Sequence, residues 1–199
     1  MKNWTGSKNS IFKTLGASNH TKKTRQTQDY YATEPKAIDV LMSMEKFRPN
    51  IWECACGEGH MAEAIKKYGY NVLSTDLIDR GYGQGGVDFL QQKEVFDGDI
   101  ITNPPYKFAQ QFIEKAFELL PQNHKLALFL KIQFLEGKNR KNLFLKNPPK
   151  FVLVSSSRLL CAKNGDFQTM IDNGGSAIAY GWFIWINGYK GDTLLQWVN

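Results

Sequence analysis

Ile51-Trp-Glu-Cys-Ala-Cys-Gly-Glu-Gly59 is the stretch whose reading decides the fold of this 199-residue chain. Ile51–Ala55 reads as a short buried strand. Gly57 and Gly59 follow as a turn in which backbone can approach a ligand closely. Met61, Ala62, Ile65 and Tyr68 then recur at helical spacing, and Gly69 marks the stop. A strand, a glycine turn and a helix in immediate succession form the opening unit of an α/β sheet with a binding crevice at the strands' carboxyl ends.

The same alternation continues outward. Upstream, Ala37, Ile38, Leu41 and Met44 predict a helix that starts near Pro35. Downstream, Asn71–Leu77 predicts a strand, and Gly81, Gly83, Gly85 and Gly86 a loop. Gly98–Thr102 predicts a third strand, cut off by Pro104 and Pro105. Phe108, Phe112, Ile113, Ala116, Phe117 and Leu120 mark an amphipathic helix ending at Pro121, and Lys125–Leu130 a further strand. Strands separated by helical segments of this length imply a doubly wound, mostly parallel sheet. Phe151–Ser155 and Ala177–Ile186 are strand-like with no obvious helix between them, which predicts an antiparallel pair at the C-terminal edge.

Three signals carry chemistry. The glycine turn lacks the third glycine of a dinucleotide loop. Asp76 ends the next predicted strand about twenty residues on, where a carboxylate can accept from both hydroxyls of a ribose. Asn103-Pro-Pro-Tyr106 stands at the carboxyl end of the third strand. Its prolines fix the backbone and donate nothing, so the Pro104 carbonyl and the Asn103 side-chain carbonyl can converge on an amino group. Tyr106 offers a flat face for a ring.

These motifs resemble those of the amino-methyltransferases of the Rossmann-like, S-adenosylmethionine-dependent superfamily, and most of all small phage-type DNA N6-adenine methyltransferases. The resemblance covers most of residues 29–199 and implies a class I methyltransferase-like, seven-stranded sheet. It makes Asp29-Tyr-Tyr-Ala-Thr-Glu-Pro35 similar to the segment that closes over the cofactor's methionine moiety, with Tyr30, Tyr31, Thr33 and Pro35 at the site. It assigns Glu53, Cys54, Ala55, Cys56, Gly57 and Gly59 to the cofactor turn, Asp76 and Leu77 to the ribose, and Asp88 and Phe89 to the cofactor adenine. Asn103, Pro104, Pro105 and Tyr106 resemble the catalytic tetrapeptide. Ala179–Gly188 resembles a late aromatic strand. The implied reaction is direct methyl transfer from S-adenosylmethionine to the N6 amine of a flipped adenine in DNA. Tyr106 would stack on one side of the base and an aromatic among Tyr180, Trp182, Phe183 and Trp185 on the other; Trp182 and Phe183 are the first choices, and alternation allows only one of those two. An RNA base, cytosine N4 or protein glutamine would suit the same tetrapeptide, and an inactive nucleic-acid-binding module would share the fold.

Charge favours a polyanion. Residues 1–28 hold six basic side chains (Lys2, Lys8, Lys13, Lys22, Lys23 and Arg25) and no acid, while the remainder balances at 19 basic against 19 acidic. That segment predicts a mobile basic arm ahead of a single domain over 29–199, without a separate target-recognition domain. A second basic run spans residues 131–163 with one acid, Glu136; within it Lys138, Arg140 and Lys141 predict a phosphate-contacting loop. Cys54, Cys56 and Cys161 are an odd set without framework spacing. The pair Cys54 and Cys56 is expected on one face of a strand, as reduced thiols. His20, His60 and His124 are scattered, so no metal is expected. No apolar run reaches membrane length and no leader is visible, which predicts a cytoplasmic protein; the resemblance implies the cytoplasm of a bacterium or phage-infected host.

Overall fold

A computed structural model describes residues 31–163 and 165–199. The predicted basic arm and Tyr30 lie outside the described residues. The elements are β1 (Tyr31–Thr33), α1 (Pro35–Met44), β2 (Asn50–Glu53), α2 (His60–Lys66), β3 (Asn71–Ser74), β4 (Asp99–Thr102), α3 (Ala109–Leu119), β5 (Lys125–Lys131), α4 (Lys141–Lys146), β6 (Phe151–Ser155), β7 (Cys161–Lys163), α5 (Phe167–Asp172), β8 (Tyr180–Ile186) and β9 (Leu194–Val198).

The main sheet has seven strands in the order β3-β2-β4-β5-β8-β6-β9. β2 pairs parallel with β3 and β4, and β4 with β5. β8 runs against both β5 and β6, and β9 lies parallel to β6. This is the expected doubly wound sheet. The antiparallel pairing falls inside the C-terminal half, because β8 inserts between β5 and β6 and leaves β9 as the outer strand.

Alternation of side chains divides the core into two layers. Ile51, Ile101, Ala127, Phe129, Trp182 and Ile184 face α1 and α2. Trp52, Ile100, Leu126, Leu128, Phe183 and Trp185 face α3. Pro35 opens α1, whose missing N–H costs nothing at a first helical position. α3 buries Ala109, Phe112, Ile113, Ala116 and Leu119, a single stripe at helical period.

β2 and β3 end earlier than the sequence predicts. Beyond Glu53 and Ser74 the chain forms a clasp: Cys56 N–H donates to Thr75 O, Gln84 N–H to Ser74 O and Asp76 N–H to Gln84 O. Cys54 and Cys56 therefore do not share a strand face. Cys54 packs into the α3 layer, and Cys56 sits in the turn with Sγ 3.6 Å from Tyr82 O.

A second, two-stranded ribbon has no counterpart among the sequence-based expectations. β1 pairs antiparallel with β7 and sets Thr33 opposite Cys161. Glu34 fastens it, with its N–H donating to Leu160 O and its carboxylate accepting from Leu160 N–H.

Candidate active site

The glycine turn is built as a cradle. Gly57 and Gly59 have φ of 56° and 85°, a region that L side chains rarely adopt. A Cβ on Gly59 would lie 2.5 Å from the Tyr82 ring. That ring is pinned to α2, since Tyr82 OH donates to Glu63 Oε1 at 2.6 Å and accepts from Lys66 Nζ at 2.9 Å. Tyr82 packs against this turn and was missed by sequence reasoning; an aromatic bracketed by Gly81 and Gly83 was the available signal.

Asp76 lies just past β3. One of its oxygens accepts from Gly57 N–H at 2.8 Å and the other from Ile78 N–H at 2.9 Å. The carboxylate thus joins the two strand ends and keeps further lone pairs for hydroxyl donors. Glu53, buried at the end of β2, has Oε2 without a hydrogen-bond partner. Burial pushes its carboxyl well above the usual range, against a lowering by the Ala62 N–H. Leu77 is exposed and Ala55 half-buried. Asp88 Oδ1 accepts from Leu90 N–H, which closes the turn that carries Phe89. Phe89 itself is core, wedged between Trp52 and Phe112 at 5.3 and 4.8 Å between centroids.

Asn103 follows β4 directly. Its Nδ2, with two hydrogens to donate, lies within hydrogen-bond reach of Thr33 Oγ1 at 3.0 Å, Tyr31 O at 3.2 Å and Cys161 Sγ at 3.3 Å. Its Oδ1 is shielded from solvent and has no partner. Pro104 is buried, and the Pro105 carbonyl accepts from Phe108 N–H. The Tyr106 hydroxyl lies 3.3 Å from Cys161 Sγ, and its ring contacts Tyr180 at 5.9 Å. Tyr180 stacks on Phe129 in turn, so Tyr106 is braced by a row of rings running into the core. Lys131 Nζ sits 5.0 Å from the Tyr106 ring centroid. Burial raises the phenol of Tyr106 and the thiol of Cys161 above their ordinary values.

A cleft of about 940 Å³ opens beside Tyr106, with Tyr31, Lys131, Gln133, Glu136 and Tyr180 on its walls. The ribbon brings Tyr31 and Thr33 to this place. Pro35 stands apart from these contacts, as the exposed first residue of α1.

The aromatic strand needs correction. Trp182 and Phe183 are fully buried, on opposite sides of the sheet, and cannot hold a base. Trp182 Nε1 donates to Ala37 O at 2.7 Å, and Trp185 Nε1 to Asn147 O at 3.1 Å. The physical reason is the direction of β8. Because it runs antiparallel, only its first residue reaches the carboxyl-end rim, where Tyr180 pairs with Lys131. Trp182 is two residues further in, about 7 Å. Arg140 also departs from its expected role. Its guanidinium folds back on its own loop, bonding Phe134 O and Glu136 O. Lys138 is exposed on that loop, and Lys141 is exposed at the start of α4.

Among the described residues there is no group of three or more His, Cys, Asp or Glu that could hold a metal ion, and no helix is long and apolar enough to cross a membrane. The three cysteines are unpaired and buried.

No protein-family profile and no curated protein matches the sequence. Solved structures do resemble the fold. A modification subunit of a candidate type I restriction enzyme from Vibrio vulnificus aligns with a TM-score of 0.58 at 14% identity, covering 87% of this chain and 48% of that one. A candidate class I S-adenosylmethionine-dependent methyltransferase from Listeria monocytogenes aligns at 0.51 with 12% identity, covering 82% and 62%. A predicted O-methyltransferase from Agrobacterium tumefaciens aligns at 0.51 with 11% identity, covering 74% and 78%. The chain spans about half of the Vibrio subunit and under two thirds of the Listeria protein. The fold is that of the class I methyltransferases.

Proposed function

We propose that this protein transfers a methyl group from S-adenosylmethionine to the exocyclic N6 amine of adenine in DNA. The observation that carries the reading is Asn103 Oδ1, a carbonyl oxygen shielded from water and left without a donor, in the tetrapeptide whose Tyr106 lines the cleft. An orphaned acceptor of this kind costs about 1–3 kcal/mol, which an incoming N–H would relieve. The Pro104 carbonyl is the second acceptor in this reading.

The residues present fit the cofactor. Gly57 and Gly59 give the turn its left-handed backbone, Asp76 retains lone pairs for ribose hydroxyls, and Asp88 stands on the next loop. S-adenosylmethionine supplies an electrophilic methyl group when bound. Asn103 and Pro104 accept the two hydrogens of the amine and favour a lone pair free of the ring. Tyr106 orients the base, which displaces Lys131 from the ring face and leaves its ammonium near the phosphates. Catalysis rests on positioning and on acceptors aimed at developing positive charge. Cys161 is held as a thiol by burial and is not needed as a nucleophile. Support for DNA comes from the two basic stretches and from the fold shared with a restriction-enzyme modification subunit.

The test is transfer of labelled methyl groups to unmethylated duplex DNA, single-stranded DNA, RNA and total cell protein, followed by nucleoside analysis. N6-methyldeoxyadenosine is expected. Label confined to protein or RNA, or to cytosine N4, would replace DNA adenine as the substrate; none anywhere would favour a binding module. Asn103→Ala should lower kcat by about 10²–10³ while cofactor binding by calorimetry persists.

A further inference from the structure

The geometry points to Cys161 and Thr33 as positioning residues that hold the Asn103 amide in the one orientation presenting its carbonyl oxygen as the free acceptor. This rests on the amine-methylation reading above, adds Cys161 to it, and turns Thr33, expected at the cofactor, toward Asn103.

The argument begins with the ribbon. In an antiparallel pair, directly opposed residues put their side chains on the same face. Thr33 and Cys161 are such a pair, so their Oγ1 and Sγ stand side by side. Asn103 Nδ2 meets both, together with the Tyr31 carbonyl. That carbonyl can only accept. Turning the amide over would set its oxygen against the Tyr31 carbonyl and against a sulfur whose one hydrogen is directed at that carbonyl, with the Thr33 hydroxyl alone able to turn and donate, and would bury the NH2 where Oδ1 has no partner. The amide is therefore fixed in one of its two states, and Oδ1 is left over.

The sulfur links this to the second catalytic side chain. Cys161 Sγ donates its hydrogen toward Tyr31 O at 3.8 Å. It can then accept from Asn103 Nδ2 and from the Tyr106 hydroxyl, both at 3.3 Å. One thiol with one hydrogen and two accepted bonds ties the two ends of the tetrapeptide to the ribbon. A serine has the same donor and acceptor count. Alanine and valine have neither.

Two measurements test this. In the first, kcat and KM are compared for Cys161→Ser, Cys161→Ala, Cys161→Val and Thr33→Val. A change in the orientation of a reacting group lowers kcat by about ten- to a hundredfold in the alanine and valine variants. The KM for S-adenosylmethionine should move less than about threefold in the Cys161 variants, and Cys161→Ser should recover most of the missing kcat. Cys161→Val leaves no cavity while removing the polar atom, so a cavity effect alone would spare it. Equal kcat in serine and alanine variants overturns the inference.

The second measurement needs no substrate. The Asn103 side-chain amide is assigned in a ¹H–¹⁵N spectrum of the full chain by its disappearance in Asn103→Asp, and its hydrogen exchange is timed. Its exchange should be slower than that of exposed asparagines by about tenfold or more, with protection kept in Cys161→Ser and abolished in Cys161→Ala with Thr33→Val. Fast exchange in the parent protein, or undiminished protection in the double variant, overturns the inference. Protection with no methyl transfer to any nucleic acid would instead sink the proposed function and leave the positioning role standing.

Discussion

Glu53 joins the candidate site to the stability of the fold. Its carboxyl is buried at the end of β2 with one oxygen unpartnered, and burial lifts its folded-state pKa well above the ordinary 4.5. A raised carboxyl pKa means the folded state binds the proton more tightly than the unfolded chain. The protonated form's contribution is complete below pH 4.5 and is lost as pH rises through the folded value. The melting temperature of the parent protein should therefore fall relative to Glu53→Gln as pH rises above 4.5, and the two should converge below it. Parallel melting curves across that range would show that Glu53 is not buried as a neutral acid. Trp182 makes a complementary case. It is fully buried and donates to Ala37 O, so Trp182→Ala should cost about 3–5 kcal/mol in urea unfolding. Tyr180→Ala, at the rim, should weaken substrate KM more than Trp182→Phe does. The reverse order would return the base-holding role to Trp182.

At the scale of elements, the turn between β2 and α2 is the most constrained. Gly59 combines a φ of 85° with a ring 2.5 Å from any Cβ, and the ring is held from the other side by Glu63 and Lys66. Gly59→Ala should cost at least about 1–2 kcal/mol in backbone strain alone and reduce cofactor affinity in calorimetry. Adding Tyr82→Ala should recover part of that loss, since it removes the clash and leaves the strained φ. No recovery would mean that the φ alone matters. This turn, α1 and the stripe of α3 were legible in the sequence because each is written in local period or in glycine placement. The tetrapeptide was legible for the same reason: its prolines end β4 where they stand. The ribbon was not. β1 and β7 are three residues each, too short to show a period, and the Tyr31–Cys161 contact joins positions 130 apart in the chain. The place of β8 was equally hidden. A strand of seven apolar residues reads the same whether it lies at an edge or between β5 and β6, yet that choice decides whether Trp182 or Tyr180 meets the cleft.

For the whole molecule, the distribution of charge sets the remaining expectation. All of the excess positive charge belongs to residues 1–28, while the rest of the chain is balanced and carries a local basic run after β5. The described part of that run splits by geometry. Arg140 spends its guanidinium on Phe134 O and Glu136 O, whereas Lys138, on the loop that continues from the Glu136 wall of the cleft, and Lys141, at the start of α4, face solvent. If DNA is the partner, each phosphate that is no longer neutralised should flatten the plot of log affinity against log salt by about 0.9. Replacing Lys138 and Lys141 by alanine should then reduce the slope by up to about two. Deleting residues 1–28, with six basic side chains, should reduce it by up to about five. Asn103→Ala, which removes no charge, should leave the slope as it was while turnover falls. Fluorescence anisotropy with one duplex across a salt series reads all three. Slopes that stay parallel after the deletion would detach the N-terminal charge from nucleic-acid binding and leave the polyanion argument to the loop after β5 alone.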